Sequence, residues 1–410
     1  MEQKESALSG YRVLELADTK GVYCGKLLAD LGADVIKIEP PQGDPTRNLP
    51  PFVDDVPHLE KSLYFLYRNT NKRGITLNLE VPDGKDIFKK LVKTADVLVE
   101  TSPPGHMASL GLDYGVLREL KPDLIMASIT GFGQTGPRKD WKSSDIVHFA
   151  MCGGMTGCGF PGKAPCNLPG TPACDSAALV AAVDILVAIY VRGITGEGQY
   201  VETSVLEAAQ AGLAAWVVSL YSNTLPQPGV LPRKRTEGRL EKRSGVSSYP
   251  VYPCKDGWLR VVALAPRQWE ALRRVLGNPE VLEAPEWYAL GYRMANAESL
   301  YALVQEYTTQ YTMAELFDAA HREGFPSAPV CTVPDFINSP QTQARGFFVE
   351  VDHPVAGKAI YPGPPYKLTE TPWSMRRPAP CLGEHNEEIY CQELGFSKGD
   401  LVALRRAGVV

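Results

Sequence analysis

An aspartate directly ahead of a long apolar segment is the first residue in this sequence that could do covalent chemistry. Asp175 precedes Ser176-Ala177-Ala178, and apolar residues follow at helical spacing from Leu179 onward. An aspartate at that place is typical of a helix cap, which contributes about 1 kcal/mol of stability. The helix dipole also keeps such a carboxylate ionised, and an ionised aspartate can attack an activated acyl group. The residues alone favour the cap over catalysis, although one side chain can serve both.

Glycine-rich turns are the second candidate for chemistry. The stretch from Gly131 to Pro137 reads Gly-Phe-Gly-Gln-Thr-Gly-Pro and follows a predicted strand. Glycine there would let the main chain approach a ligand closely, but a plain turn at a sheet edge is an equally good interpretation. The G-x-G-x-x-G fingerprint of dinucleotide-binding proteins is missing after the first strand, so a nicotinamide-dependent dehydrogenase is a distant alternative.

Composition argues against several classes of protein. The nine cysteines form no C-x-x-C pair and the six histidines no H-x-x-x-H pair, so we expect no metal site. The net charge of −5 argues against a nucleic-acid partner. No uninterrupted apolar run reaches the roughly 20 residues that span a bilayer, and the charged N-terminus lacks a signal sequence. We therefore expect a cytoplasmic protein with no membrane contact and no nucleotide cofactor.

These candidate residues need a scaffold, and the chain predicts alternating strands and helices. Gly10–Leu16 and Gly32–Glu39 are predicted strands on either side of a helix at Gly25–Leu31. Such a unit favours parallel pairing through a right-handed crossover. The alternation continues through predicted helices at Asp83–Thr94 and Gly115–Leu120 and predicted strands at Val97–Glu100 and Leu124–Ile129. We therefore predict a Rossmann-like α/β fold, with helices on both faces of a parallel sheet.

Four cations fall beside the predicted strand ends, which is where open α/β sheets bind ligands. They are Lys72, Arg73, Lys139 and Lys142. Taken one at a time, we expect each of these side chains to be exposed to solvent and to bind no ligand.

The second half of the chain predicts a smaller domain inserted into the larger one. A Gly/Pro/Cys-rich stretch from Gly153 to Pro172 leads into a helix at Ser176–Val191. The basic run Arg233–Arg243 is a predicted linker, and mixed strands and helices follow it. We predict a large α/β domain at 1–225, a small α+β domain at 226–335, and a C-terminal segment at 336–410 that returns to the large domain.

Five blocks of sequence carry a resemblance to a known family. They are Leu28–Glu39 with Gly43–Arg47, Asn71–Arg73 with Thr76–Leu79, Ile129–Pro137, Thr195–Val201, and Pro378–Asn386. In this order they resemble family III of the CoA-transferases, the superfamily of formyl-CoA and carnitine CoA-transferases and acyl-CoA racemases. The resemblance covers nearly the whole chain. One block would be weak evidence, but five in register make coincidence implausible.

The resemblance implies a catalytic role for Asp175. The family's nucleophilic aspartate lies between the Gly/Pro-rich stretch and the long helix, where this chain reads Ala173-Cys174-Asp175-Ser176. The implied reaction moves CoA from an acyl-CoA to a carboxylic acid through aspartyl anhydride and aspartyl-CoA thioester intermediates, without ATP. Main-chain amides must stabilise the developing oxyanions, and Arg243-Ser244-Gly245 is the predicted source.

The resemblance also implies where CoA binds. The chain departs from the family at the turn after the Val97–Glu100 strand, where Thr-Ser-Pro-Pro-Gly replaces the usual Asn-Phe-Arg-Pro-Gly. Ser109 also replaces a common arginine, so the adenine and phosphate contacts are expected to be rearranged. The predicted CoA-binding residues are Thr19, Lys20, Gly21, Leu77, Asn78, Thr101, Ser102, Pro103 and Lys142.

The family's assembly implies further partners. Its fold is an interlocked dimer of identical chains, and some members pair with an unlike but related chain, so we expect a homodimer or a heteromer. The substrates are an acyl-CoA and a carboxylic acid. General likeness to the benzylsuccinate type favours succinyl-CoA as donor and an aromatic or alkyl succinate as acceptor. The apolar segment Met151–Cys166 is predicted to line the acyl site.

Two alternatives within the family stay open. An acyl-CoA racemase uses a histidine in a Gly-His-Asp motif shortly after the Gly-Phe-Gly-Gln stretch, where this chain has Ser143-Ser144-Asp145. Ser144 cannot abstract a proton as an imidazole does, and His148 is out of register, so the racemase is disfavoured. The other alternative is a non-catalytic subunit of a heteromeric transferase, against which the presence of Asp175 argues.

Overall fold

The computed structural model describes residues 5–158, 164–214 and 250–410. These residues fall into two compact units. The first combines 5–158, 166–214 and 346–410, and the second contains 250–345. The predicted boundary at residue 225 and the predicted linker Arg233–Arg243 lie outside the described residues, so the domain limits stay a prediction.

A six-stranded parallel sheet forms the centre of the first unit, which confirms the predicted α/β fold. The strands run in the order β3-β2-β1-β4-β5-β6, which is the order of doubly wound nucleotide-binding sheets. The order reverses between β1 and β4, and such a reversal leaves a crevice at the carboxyl ends of the two strands. The strands are β1 (Arg12–Leu16), β2 (Asp34–Glu39), β3 (Arg73–Thr76), β4 (Val97–Glu100), β5 (Ile125–Thr130) and β6 (Tyr200–Ser204).

Helices cover both faces of this sheet, so β3, β4 and β5 are buried from end to end. Apolar residues of β1 alternate between two cores, with Val13 in one and Leu14 in the other. The helices are α1 (Val22–Asp30), α2 (Leu63–Arg68), α3 (Pro82–Val92), α4 (His106–Ser109), α5 (Tyr114–Leu120), α6 (Asp145–Met151), α7 (Pro172–Thr195) and α8 (Val205–Ala209), followed by a π-helical turn at Gln210–Ala214.

Helices α1 and α7 share one core, where small residues let them approach each other and the sheet. Ala177, Ala178 and Ala181 of α7 are fully buried there, together with Leu28 and Ala29 of α1. The other core includes α3, α5 and the C-terminal segment with its helix Lys398–Arg406 and a π-helical stretch at Glu387–Glu393. A hairpin of β10 (Phe348–His353) and β11 (Gly357–Pro362) packs on α2.

Helix α7 begins earlier than its apolar pattern indicates. Its first residue is Pro172 and its N-cap is Thr171, because proline's fixed φ suits the first helical position. Asp175 is therefore the fourth residue of the helix, and its predicted role as the cap is wrong. By length and composition this 24-residue helix could cross a membrane, a test that core helices of soluble proteins also pass.

The second unit combines a small antiparallel sheet with helices. The sheet order is β7-β8-β9, formed by Val251–Pro253, Trp258–Val261 and Ser327–Pro329. Its core contains Trp269 and Trp287. The helices are Pro266–Val275, Leu290–Ala295, Ala297–Thr308, Met313–Glu323, Val333–Ile337 and Pro340–Arg345.

Candidate active site

Asp175 forms a two-pronged ion pair with an arginine at the end of α2. The guanidinium of Arg68 donates from Nη1 to Oδ1 of Asp175 at 2.6 Å and from Nη2 to Oδ2 at 2.8 Å. Nη2 also donates to the hydroxyl of Thr171 at 3.2 Å. Paired parallel bonds of this kind fix the orientation of both groups. The side chain of Asp175 is 31% exposed and that of Arg68 is 11% exposed, so Asp175 is the more accessible member.

Two tyrosines enclose the guanidinium of Arg68. Its carbon lies 4.4 Å from the ring centroid of Tyr64 on α2 and 5.2 Å from that of Tyr23 on α1, within cation–π range. Burial is the largest single effect and disfavours the charge of Arg68, but the hydrogen bonds and charge of Asp175 together with Tyr64 and Tyr23 outweigh it and raise the pKa of Arg68. Burial raises the pKa of Tyr64 to about 12, so its hydroxyl stays protonated at neutral pH and can donate a hydrogen bond.

A second carboxylate holds the first turn of α7 in place. Oδ1 of Asp145, on α6, accepts the main-chain N–H of Cys174 at 2.8 Å. Oδ2 of Asp145 is buried without a hydrogen-bond partner among the described residues. Burial raises the pKa of Asp145, and the negative charge of Asp175 adds to that shift. Asp145 therefore positions the turn that carries Asp175.

His148, one turn further along α6, is buried beside the Gly-Phe-Gly turn. Its ring packs edge-on against Phe132, with the centroids 4.9 Å apart. Burial, with a smaller effect of Lys20, lowers the pKa of His148 to about 4, so it is a weak base. A Cβ on Gly131 would lie 2.5 Å from the hydroxyl oxygen of Ser143 and 3.0 Å from Nε2 of His148. Glycine is therefore required at position 131 because side chains of the protein itself lie close to its main chain.

The loops after β1 and β4 meet at the crevice where the strand order reverses. The N–H of Asp18 donates to the hydroxyl of Thr101 at 2.9 Å, and the N–H of Thr101 donates to the carbonyl of Leu16 at 3.2 Å. Gly21 has no room for a side chain, because a Cβ would lie 2.7 Å from Cγ2 of Thr101. The structure thus brings the predicted CoA-binding stretches Thr19–Gly21 and Thr101–Pro103 together.

The other predicted CoA-binding residues have different surroundings. The ammonium of Lys20 pairs with Asp18. Leu77 directly follows β3 and is buried in the apolar core that includes α3 and α5. Asn78 donates its side-chain amide to the carbonyl of Gly408 at 3.2 Å, so the C-terminal tail occupies it. Lys142 is exposed, and it has neither an ion pair nor a hydrogen bond within the described residues.

Lys72 and Arg73 were expected to be exposed to solvent, but both are buried and form ion pairs. The expectation from the sequence is wrong for these two residues. Lys72 is fully buried and donates to Glu15 at 2.7 Å, to the carbonyl of Val22 and to Asn69. Arg73 donates to Asp34 at 2.6 Å and also pairs with two glutamates of the C-terminal segment. A buried cation is stable only when such partners satisfy it, so neither is free to bind a ligand.

One group of described side chains has the composition of a metal site. Ligand atoms of Glu60, His353 and Cys381 all lie within 4.8 Å of one another. Glu60 is already paired with Arg47 at 2.6 Å. Nδ1 of His353 accepts two main-chain N–H bonds, which leaves the proton of a neutral ring on Nε2. The carboxylate of Glu60 and Nδ1 of His353 are therefore engaged in structural bonds, whereas Nε2 of His353 is buried without a hydrogen-bond partner among the described residues.

Arg68 and its two tyrosines were not anticipated from the sequence. Arg68 lies 107 positions from Asp175, and no spacing rule links the two. The one available signal was its place three residues ahead of the Asn71–Arg73 block. Ser144 is the N-cap of α6. The stretch Arg243-Ser244-Gly245, predicted to supply main-chain amides, lies outside the described residues.

Comparison with known proteins shows the family to which this chain belongs. The model of CoA-transferase family III matches residues 8–386. Formyl-CoA:oxalate CoA-transferase of Streptomyces coelicolor is 34% identical, over 98% of this chain and 99% of that protein. Succinyl-CoA:mesaconate CoA-transferase of Haloarcula marismortui is 37% identical, over 96% and 98% of the two chains.

Two further comparisons agree with this placement. Subunit BbsE of succinyl-CoA:(R)-benzylsuccinate CoA-transferase from Thauera aromatica is 32% identical over 98% of both chains. A crystal structure of a CAIB/BAIF family protein from Brucella suis superposes with a TM-score of 0.81 at 30% identity, over 95% of this chain and 100% of that one. The chain belongs to CoA-transferase family III and is an acyl-CoA:carboxylate CoA-transferase.

Proposed function

We propose that Asp175 is the nucleophile of the transfer reaction. The observation that carries this proposal is the ion pair with Arg68, which holds an accessible carboxylate at the start of α7. The amino end of a helix favours negative charge, both on the carboxylate and on the oxyanions that form during acyl transfer. Asp145 supports the same turn through Cys174.

The proposed reaction is a series of acyl exchanges. A carboxylate oxygen of Asp175 attacks the thioester carbon of the donor, the C–S bond breaks, and CoA leaves as thiolate. The thiolate then attacks the Asp175 carbonyl carbon of the mixed anhydride, which releases the donor acid and forms aspartyl-CoA thioester. The acceptor carboxylate attacks that thioester and expels thiolate. The thiolate attacks the acceptor's carbonyl carbon, which gives the new acyl-CoA and restores the Asp175 carboxylate.

We further propose that CoA binds in the crevice between β1 and β4. Open parallel sheets bind their ligands at such a reversal of strand order. The nine predicted contact residues are Thr19, Lys20, Gly21, Leu77, Asn78, Thr101, Ser102, Pro103 and Lys142. The ammonium of Lys142 has no partner among the described residues and suits a phosphate. The main-chain N–H groups of Leu77 and Asn78 already donate to the carbonyls of Glu39 and Val409, so these two residues are the weakest of the nine assignments.

For the acids, we propose succinyl-CoA as donor and an aromatic or alkyl succinate as acceptor. Succinyl-CoA is in the names of two of the three relatives described above, and benzylsuccinate is in one of them. A panel of acids, each offered with succinyl-CoA, tests this choice by product mass. Transfer confined to small acids such as oxalate or formate would contradict it.

We also propose that a second chain, identical or related, covers one face of α7, and that this assembly is the interlocked dimer of the family in the cytoplasm. Exposed apolar residues form a continuous stripe on that face: Leu179, Val183, Val187, Tyr190 and Ile194. Such stripes mark interaction surfaces. BbsE is named as a subunit, which supports an unlike partner as an alternative. The solution mass of the purified chain tests the assembly, and a monomer would contradict it.

The decisive experiment traps the covalent intermediate. Wild type and Asp175→Ala are incubated with an acyl-CoA and hydroxylamine, which converts an activated aspartyl group into a stable hydroxamate. We expect a mass increase of about 15 Da on Asp175 in the wild type and none in the variant. If the wild type gains no mass while both proteins bind CoA equally, the nucleophile comes from elsewhere, as in a non-catalytic subunit.

A further inference from the structure

The proposed reaction changes the charge of Asp175 but not that of Arg68. While Asp175 is a free carboxylate, the guanidinium is neutralised by two short hydrogen bonds. In the anhydride and in the aspartyl-CoA thioester the aspartyl group is uncharged. A largely buried cation without a counter-ion is costly, so each covalent state requires another anion beside Arg68.

The surroundings of Arg68 do not supply that anion. Asp175 is the one carboxylate that pairs with Arg68 among the described residues. The charge of Asp30 acts on Tyr23, but Asp30 already accepts from Lys26 and from Asn71, both at 2.8 Å. The rings of Tyr23 and Tyr64 lie against the guanidinium, and the side chain of Arg68 is only 11% exposed. The replacement anion must therefore come to Arg68 with the substrates.

We propose that Arg68 is the residue that binds the carboxylate of the exchanging acid. This inference rests on the proposed role of Asp175. In the thioester state, the acid's carboxylate takes the place that Asp175 vacated on the Arg68 fork, because any carboxylate fits the same pair of N–H donors. That position is beside the Asp175 carbonyl carbon, which the carboxylate must attack.

The charges then balance at every stage. In the thioester state Arg68 pairs with the incoming or departing acid, and in the anhydride states it pairs with the CoA thiolate. Attack by the acid's carboxylate forms a C–O bond and breaks the C–S bond, so the negative charge passes from the acid to the thiolate. When the thiolate completes the transfer, Asp175 regains its carboxylate and its pair with Arg68. No proton enters or leaves.

The test measures exchange between an acyl-CoA and its own isotopically labelled acid. The acyl-CoA is one that yields the hydroxamate on Asp175 in the wild type. The variants are Arg68→Gln, Arg68→Lys, which keeps the charge, and Arg118→Gln, a control at an exposed ion pair with Glu197. We record the acid concentration at half-maximal exchange and the yield of hydroxamate.

In Arg68→Gln we expect the half-maximal acid concentration to rise roughly 10- to 100-fold, the effect of losing charge-assisted hydrogen bonds, while the hydroxamate still forms. Arg68→Lys should be intermediate and Arg118→Gln unchanged. A folded Arg68→Gln that forms no hydroxamate would show that Arg68 only orients Asp175, which overturns the proposal. A half-maximal concentration within about twofold of wild type overturns it as well.

Two outcomes separate this proposal from the one on which it rests. If no acyl-CoA labels Asp175 in the wild type, the nucleophile is wrong, and the role of Arg68 falls with it. If the wild type is labelled but replacing Arg68 leaves the half-maximal acid concentration unchanged, only the present proposal fails. Should Arg68→Gln not fold, Arg68→Lys decides: an unchanged acid dependence contradicts the proposal, and a raised one supports it.

Discussion

Asp145 accepts the main-chain N–H of Cys174 at 2.8 Å, and the next residue in the chain is Asp175. The bond crosses from α6 to the first turn of α7, where main-chain N–H groups have no partner within the helix. It thus joins the segment after the Gly-Phe-Gly turn to the proposed nucleophile. The residue before Asp145 is Ser144, at the position where the resemblance implies a histidine in racemases.

Replacing Asp145 tests that connection. Asp145→Ala removes the acceptor and leaves the N–H of Cys174 unsatisfied, so we expect the free energy of unfolding to fall by about 1–2 kcal/mol. Asp145→Asn keeps an oxygen acceptor and should change stability by less than about 0.5 kcal/mol. Denaturant unfolding of the three proteins measures both effects. Equal losses in the two variants would contradict a role based on this hydrogen bond.

The buried ring of His148 predicts a pH dependence of stability. Its pKa is lowered from 6.5 to about 4 by burial, with a smaller effect of Lys20. Between these pH values the unfolded chain binds the proton more readily, so acidification destabilises the folded state. Relative to His148→Gln, wild type should lose up to about 1 kcal/mol per pH unit from pH 6.5 toward pH 4, and the difference should be constant above pH 7. A difference that does not vary with pH would contradict this.

Lys142 provides a test of the proposed CoA site. Its ammonium is exposed and unengaged within the described residues, so a CoA phosphate is the partner that we expect. Lys142→Ala should weaken CoA binding by roughly fivefold to tenfold and reduce its salt dependence. Lys93→Ala is the matched control, because Lys93 is exposed between α3 and the amino end of β4, away from the crevice. Titration calorimetry at two salt concentrations measures both, and equal losses would place CoA elsewhere.

Because Lys72 and Glu15 form a buried pair, we expect that replacing Lys72 destabilises the fold and that a second substitution at Glu15 restores part of the stability. Lys72→Met removes the partner of Glu15 at 2.7 Å and leaves this buried carboxylate with Lys37 alone, at 3.5 Å, which should cost about 3–5 kcal/mol. Adding Glu15→Gln removes that incompletely compensated charge and should restore part of the loss, because Lys37 keeps Asp44 as a partner. A double-mutant cycle by denaturant unfolding measures the coupling. Additive losses would show that the two side chains do not depend on each other.

Local patterns in the sequence determined the class of fold. The alternation of short apolar strands with helices indicates a parallel α/β sheet, and the first predicted strand and helix agree with β1 and α1 within a few residues. These patterns depend on side-chain period, which neighbouring residues alone set. The family followed from five blocks in order, and the place of Asp175 within them identified it as the candidate nucleophile.

Tertiary structure decided what surrounds that candidate. Arg68 pairs with Asp175 from 107 positions away, and Asp145 accepts the N–H of Cys174 from 29 positions away. The burial of Lys72 depends on Glu15 and its other partners, which the fold brings to it. Helix α7 begins at Pro172, and the N–H of Cys174 in its first turn finds its acceptor in Asp145 of α6. Ion pairs and burial depend on which segments the strand order brings together. That order results from the packing of the whole chain, so no local pattern contains it.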